Sequence, residues 1–295
     1  MLFKLRQRTG PVTDHAHTPY RWQSQPHGSA LTLILGLVLS ACGESTTEEP
    51  APQPVTLHFT VTVDGTPFAC GTPFPRLGTP ETEMGFGDLR FYLHGLELIE
   101  VDGRAAPVTL EDDGIWQRDG VALLDFEDGC ENGTAQLNKT VRGQARAGDF
   151  VAFRFSLGVP PTLNSSETVL EGRGSPLNLS SMFWSWKSGY KYLRLDGISG
   201  PFRFHLGASR CNSDFQCGEL NIPQITIPDF NPEREQIELD LARLLRGTNL
   251  RENTPMTSPG CMGESSDPDC AEIFARIGLG EEATGLAWSV SPLER

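Results

Sequence analysis

The sequence predicts an all-β fold: an antiparallel β-sandwich or barrel-like single domain with one or two short helices near the C-terminus. Three observations predict it. Apolar residues alternate strictly in several short segments, turn dipeptides recur between them, and helix signals are few. The first segment, Val55-Thr-Leu-His-Phe-Thr-Val-Thr-Val63, is apolar at every odd position and ends on the turn pair Asp64-Gly65. Further strands are expected at Asp88–Val101, Val121–Phe126, Ala135–Arg142, Phe150–Leu157, Tyr190–Leu195, Phe202–Leu206 and Gln224–Ile227. Asp102-Gly103, Asp119-Gly120, Asp128-Gly129, Asn132-Gly133 and Asp196-Gly197 punctuate them. Asn231-Pro232, then Glu233–Arg246 and Gly247, carries the cap, N1 proline and terminal glycine of a helix. Ile237, Leu239 and Leu241 alternate in the same stretch, so a strand competes there. Ala271–Ile277 reads as one short helix.

Ahead of this domain, residues 1–41 have the order of a secretory signal. Lys4, Arg6, Arg8 and Arg21 precede the apolar run Ala30–Leu39, which is too short for a permanent membrane span. The run ends in Leu39-Ser-Ala-Cys42, which looks like a bacterial lipobox and implies cleavage before Cys42 and acylation of its thiol. Gly43 rather than Asp after that cysteine is the pattern of lipoproteins bound for the outer membrane of a Gram-negative cell, facing the periplasm. Residues 42–54, rich in Pro, Glu and Thr, read as a flexible tether, and 55–295 as the domain. The membrane is then a partner through the lipid anchor only.

The full chain carries 24 basic and 38 acidic residues. Removing the leader with its four basic residues and Asp14 leaves 20 against 37, a net charge near −17. Such a balance argues against nucleic acid as a partner. Six cysteines remain besides Cys42, an even number that suits an oxidising compartment. Cys211/Cys217 and Cys261/Cys270 are close enough to be local pairs, leaving Cys70 with Cys130. Zinc would need short paired spacings such as C-x-x-C, and the sequence has none.

Enzyme signatures are missing: there is no G-x-S-x-G elbow, P-loop or H-E-x-x-H, and no spare thiol if all six cysteines pair. Acidic runs at Glu111–Asp113 and Asp125–Asp128 lack the spacing of a calcium loop. Three histidines survive cleavage. His58 is a solvent-facing strand position, whereas His94 and His205 lie between bulky apolar residues with glycine close behind. A buried core histidine is the ordinary reading of either alone; together they admit a metal site, for which neutral imidazoles suit copper, zinc or nickel. In Met182-Phe-Trp-Ser-Trp-Lys-Ser-Gly-Tyr-Lys-Tyr192, an extended chain would project Met182, Trp184, Trp186, Tyr190 and Tyr192 on one side. Such a face is either core or a platform for sugar rings.

Seven ordered stretches together resemble the MbnP family of methanobactin-associated periplasmic copper-binding proteins, the four-Cys proteins of the metallo-mystery pair system. They are Gly65–Gly71, Asp88–His94, Val121–Asp128, Leu157–Pro160, Pro176–Asn178, Met182–Lys191, and Phe204–Gly207 with Cys211 and Cys217. The resemblance runs from about Val55 to at least Leu245. It implies an all-β, non-enzymatic protein holding one copper ion through two imidazoles and a kynurenine made from tryptophan. A di-haem partner of the cytochrome c peroxidase type (MbnH-like) would carry out that oxidation. Carried onto this chain, His94 and His205 are the ligand positions, and Trp184 or Trp186 the modified residue. One departure stands out: family members often have histidine after the Leu-Asn that follows Gly-Val-Pro, and here Ser165 follows Asn164. The segment with Cys261 and Cys270 is consistent with a subgroup. The competing function is a lipoprotein β-sandwich that binds carbohydrate or a surface through the aromatic face, which requires Trp184 and Trp186 exposed in a groove.

Overall fold

Alternating segments bury one face each, so they must pair and then stack. The computed structural model describes residues 51–130, 133–164, 172–184, 189–198, 200–212 and 216–293. Residues 1–50, including the leader, Cys42 and most of the tether, lie outside them, as do Ser165 and Trp186. The first strand, Pro52–Val63, begins three residues ahead of the expected Val55 and pairs from Pro52 with Arg146.

Two large sheets form. In the six-stranded one the order is Trp288–Pro292, Glu235–Asp240, Pro52–Val63, Thr140–Arg146 and Thr109–Leu110, with Thr66–Pro67 folded back on the first strand. The pairing of Pro52–Val63 with Glu235–Asp240 is parallel; the other pairings are antiparallel. The nine-stranded sheet runs Phe183–Trp184, Gly189–Gly197, Phe86–Glu100, Phe150–Leu157, Gln224–Pro228. Arg203–Gly207 lies along Gly189–Gly197, Val121–Asp125 and Ala105–Pro107 lie along Phe86–Glu100, and Gln117–Arg118 lies along Val121–Asp125. Aromatic rings join the sheets face to face. Phe59 meets Phe153 and Phe155 at 6.4 and 6.3 Å, and Trp288 meets Phe155 and Phe91 at 5.2 and 5.8 Å. Each such pair adds about 0.5–1.5 kcal/mol beyond the area it buries.

The expected helix Glu233–Arg246 is a correction. Alternation wins over the cap signal for its first part, which is the strand Glu235–Asp240. Only Leu241–Leu245 is helical, capped by Asp240 through Ala242 and Arg243 N–H groups at 2.8 and 3.3 Å. The helix Ala271–Ile277 is found where expected. The strand expected at Ala135–Arg142 is displaced to Thr140–Arg146. Disulfides join Cys70–Cys130, Cys211–Cys217 and Cys261–Cys270. No helix among the described residues is long and apolar enough to cross a membrane.

Phe86–Glu100 positions the site. Residues Phe86 to Leu93 are buried without interruption, so both faces of this strand are covered. The odd-numbered Leu89, Phe91 and Leu93 share the side on which Phe91 meets Trp288; Asp88, Arg90, Tyr92 and His94 take the outer side. A segment from Gly174 to Trp184 closes over that outer face. Tyr92 Oη donates to the Pro176 carbonyl at 2.8 Å and Tyr190 Oη to that of Leu177 at 2.6 Å.

Candidate metal centre

The aromatic run is not one extended segment. Phe183–Trp184 and Gly189–Gly197 are antiparallel partners, with Trp184 opposite Gly189. Gly189 takes φ +78°, a turn conformation that alternation cannot signal. Asn164 Oδ1 accepts the Tyr190 N–H at 2.8 Å and fixes the start of the second strand. Met182, Trp184, Tyr190 and Tyr192 are all buried, Trp184 at 5% exposure. Among the described residues no Phe, Tyr or Trp is strongly exposed, so the sugar platform expected for Trp184 is absent there.

Trp184 and His205 come together, with ring centroids 6.4 Å apart and planes tilted by 48°. Gly207, two residues after His205 on the same strand face, admits the indole. An added Cβ there would stand 2.5 Å from Cζ3 of Trp184. His205 Nε2 donates to Asp196 Oδ1 at 2.6 Å. Its Nδ1 is buried with no hydrogen-bond partner among the described residues. Burial pushes the His205 pKa down, and the positive charges of Lys191 and Arg194 act the same way against the pull of Asp196. Burial alone would raise Asp196, but hydrogen bonds from His205 and Arg194 hold its carboxyl well below the usual range. Asp196 is thus an ionised acceptor, and His205 a neutral ring whose Nδ1 lone pair is free.

Asp196 belongs to a buried lattice of charges. Arg194 Nη2 reaches Asp196 at 2.6 Å and its Nη1 reaches Asp88 at 3.0 Å; Arg90 Nε donates to Asp88 at 2.8 Å. Register aligns the row: Asp125 faces Arg90, Arg90 faces Arg194, and Arg194 faces His205. Desolvation, with Glu127 and Asp88 nearby, pushes Asp125 up to about 7 despite Arg90.

His94 is placed differently. Its Nδ1 lies 2.8 Å from the Gly158 carbonyl, to which it donates, and Nε2 has no partner among the described residues. Burial lowers its pKa against that hydrogen bond, so it too is neutral near pH 7. A ligating histidine normally tethers its second ring nitrogen in this way. Register sets the two histidines apart. His205 is level with Arg90 two strands away, and His94 lies four residues further along. With ~4.8 Å between strands and ~3.3 Å per residue, their Cα atoms are roughly 16 Å apart. The structure therefore unites His205 with Trp184 and leaves His94 at the Gly158–Pro160 loop.

The donor chemistry nonetheless fits a soft-to-borderline ion, because each neutral imidazole offers one unclaimed lone pair. Among the described residues, the tightest group of metal-ligating types is Cys70, Asp128 and Cys130, and its sulfurs are spent in a disulfide. Sequence reading gave no role at the site to Asp196, Arg194 or Gly158. The signal was present in Asp88-Leu-Arg90 and Arg194-Leu-Asp196, opposite charges two apart inside apolar strands.

The model of the family described as MbnP matches residues 52–263. The chain belongs to the MbnP family. This is a copper-binding family not known for enzymatic activity. Among solved structures the chain is similar to MbnP from Methylosinus trichosporium, with 26% identity and a TM-score of 0.74. That match covers 83% of this chain and 100% of the other. No curated protein matches the sequence significantly.

Proposed function

We propose that this MbnP-family protein is an exported, lipid-anchored copper binder rather than an enzyme. It holds one ion in the envelope through histidine and a kynurenine formed from Trp184 or Trp186. The observation that carries this reading is the buried Nδ1 of His205, beside the Trp184 ring and without a partner among the described residues. A buried acceptor without a partner costs on the order of 1–3 kcal/mol, which a bound ion would offset. Opening the indole of Trp184 supplies an aniline nitrogen and a ketone next to that lone pair. The oxidation is the work of a di-haem, peroxidase-like partner. His94, with a tethered Nδ1 and a free Nε2, is the second histidine to test.

Copper content of the purified protein decides between the two ends. The expected result is about one copper per chain, lost in His205→Ala and retained in His94→Ala. Loss in His94→Ala alone would move the ion to the Gly158 end, and retention in the double variant would sink both assignments. Conversion of tryptophan to kynurenine adds two oxygens and removes one carbon monoxide unit, a gain of about 4 Da by intact mass. Trp184→Phe and Trp186→Phe then show which indole is used.

A further inference from the structure

Trp184 enters the interior two residues after a turn held by three cations. Ser180–Met182 form a single 3-10 turn. Arg90 Nη1 donates to Ser181 Oγ at 3.2 Å, while Lys191 Nζ and Arg194 Nη1 donate to the Ser181 carbonyl at 3.0 and 3.3 Å. Arg90 and Arg194 are fixed by Asp88 and Asp196, so the turn is bound to the buried charge lattice. Lys191 differs from them. Among the described residues it has no carboxylate at ion-pair distance, and its ammonium is spent on a backbone oxygen. Burial and the charge of Arg194 bring its pKa down to about 8, so placing it there has a cost that a solvated lysine avoids.

Beyond the turn, the indole rests on Gly207. A Cβ at that position would also lie 2.6 Å from the Tyr190 carbonyl oxygen. Gly207 is not among the residues with positive φ, so it is space rather than backbone conformation that calls for glycine.

We propose that the cation clamp on Ser181 and the Gly207 floor form a two-point seat that fixes the Trp184 indole against His205, with Lys191 as its positioning residue. The use of the seat rests on Trp184 being the kynurenine precursor; the seat itself is a matter of contacts. The test uses the whole mature protein as wild type, Lys191→Met, Lys191→Arg and the reference Trp184→Phe. NMR resonances of the His205 ring report the first arm, because an indole this close imposes a ring-current shift. The second arm is the yield of the mass-shifted species on co-expression with the di-haem protein.

Lys191→Met is expected to move the His205 resonances toward those of Trp184→Phe. It should cut the kynurenine yield roughly ten-fold, since a misplacement of about 1 Å can cost on the order of 10²-fold. Lys191→Arg, which keeps a donor, restores both. Unchanged His205 resonances in Lys191→Met would overturn the seat. If the wild type yields no mass-shifted species, the precursor reading of Trp184 fails, and the NMR arm alone decides the seat.

Discussion

The two histidines on the outer face of the large sheet are held by opposite means. His94 leans on a neutral backbone carbonyl in the loop that begins at Gly158. His205 leans on an ionised carboxylate held by Arg194 and Arg203, and Arg194 is itself paired with Asp88. The first arrangement depends on the path of the chain, and the second on charge neutralisation inside the protein. The two ends should therefore fail differently when disturbed.

The largest effect is expected at the charged end. Asp196→Ala strips an acceptor from His205, Arg194 and Arg203 at once, leaving Asp88 as the carboxylate partner of the buried Arg194 and the His205 Nε2–H unmet. Breaking such a pair costs roughly 3–5 kcal/mol, to be measured by chemical denaturation. A loss below about 1 kcal/mol would place the lattice among ordinary surface pairs. At the other end, Gly158 has φ +138°, and an added Cβ would stand 2.9 Å from Cγ of Tyr192. Gly158→Ala should cost about 1–3 kcal/mol and shift the His94 resonances. A neutral result would mean that the loop relaxes freely.

Smaller effects concern pH. Asp125, in the row of His205, has its folded pKa raised to about 7. A raised carboxyl pKa means that the folded state binds more protons than the unfolded one, so stability falls as pH rises from about 4 to about 7. Asp125→Asn removes that loss, and its stability relative to wild type should grow between pH 5 and pH 8. A constant difference would contradict the burial of this carboxyl. The smallest effect belongs to His94, whose folded pKa is lowered. The unfolded chain then takes up the proton first, so its contribution is lost as pH falls below about 6.5. In metal-free protein, His94→Gln should flatten the stability curve in that acidic range, as read by thermal melts at a series of pH values.

Much of the fold was legible in the sequence because burial on one face leaves a period of two. Phe150–Leu157 and Ala271–Ile277 were located to the residue. Strands two or three residues long, such as Gln117–Arg118, carry too few positions to show any period. The stretch from Met182 to Tyr192 misled because alternation continues across a chain reversal as readily as along a strand. At the site, the residue types were readable but their grouping was not. His94 and His205 look equivalent in their local sequences, and only the register of three strands separates them. The resemblance to MbnP identified the family without supplying that register.

The parallel pairing of the first strand carries a consequence for how the molecule comes into being. Phe59 to Thr62 are matched with Ile237 to Asp240, and Thr62 Oγ1 bonds Glu238 across 176 positions of sequence. One flank of the opening strand stays bare until nearly the whole polypeptide has been delivered, which makes folding slow and leaves an edge open to wrong partners. A chain cut short before residue 235 would carry the residues of the Trp184 seat yet lack the strand that closes the smaller sheet. Assembly is therefore gated by the arrival of Glu235–Asp240, and a release or quality-control step acting before then would meet an incomplete sandwich.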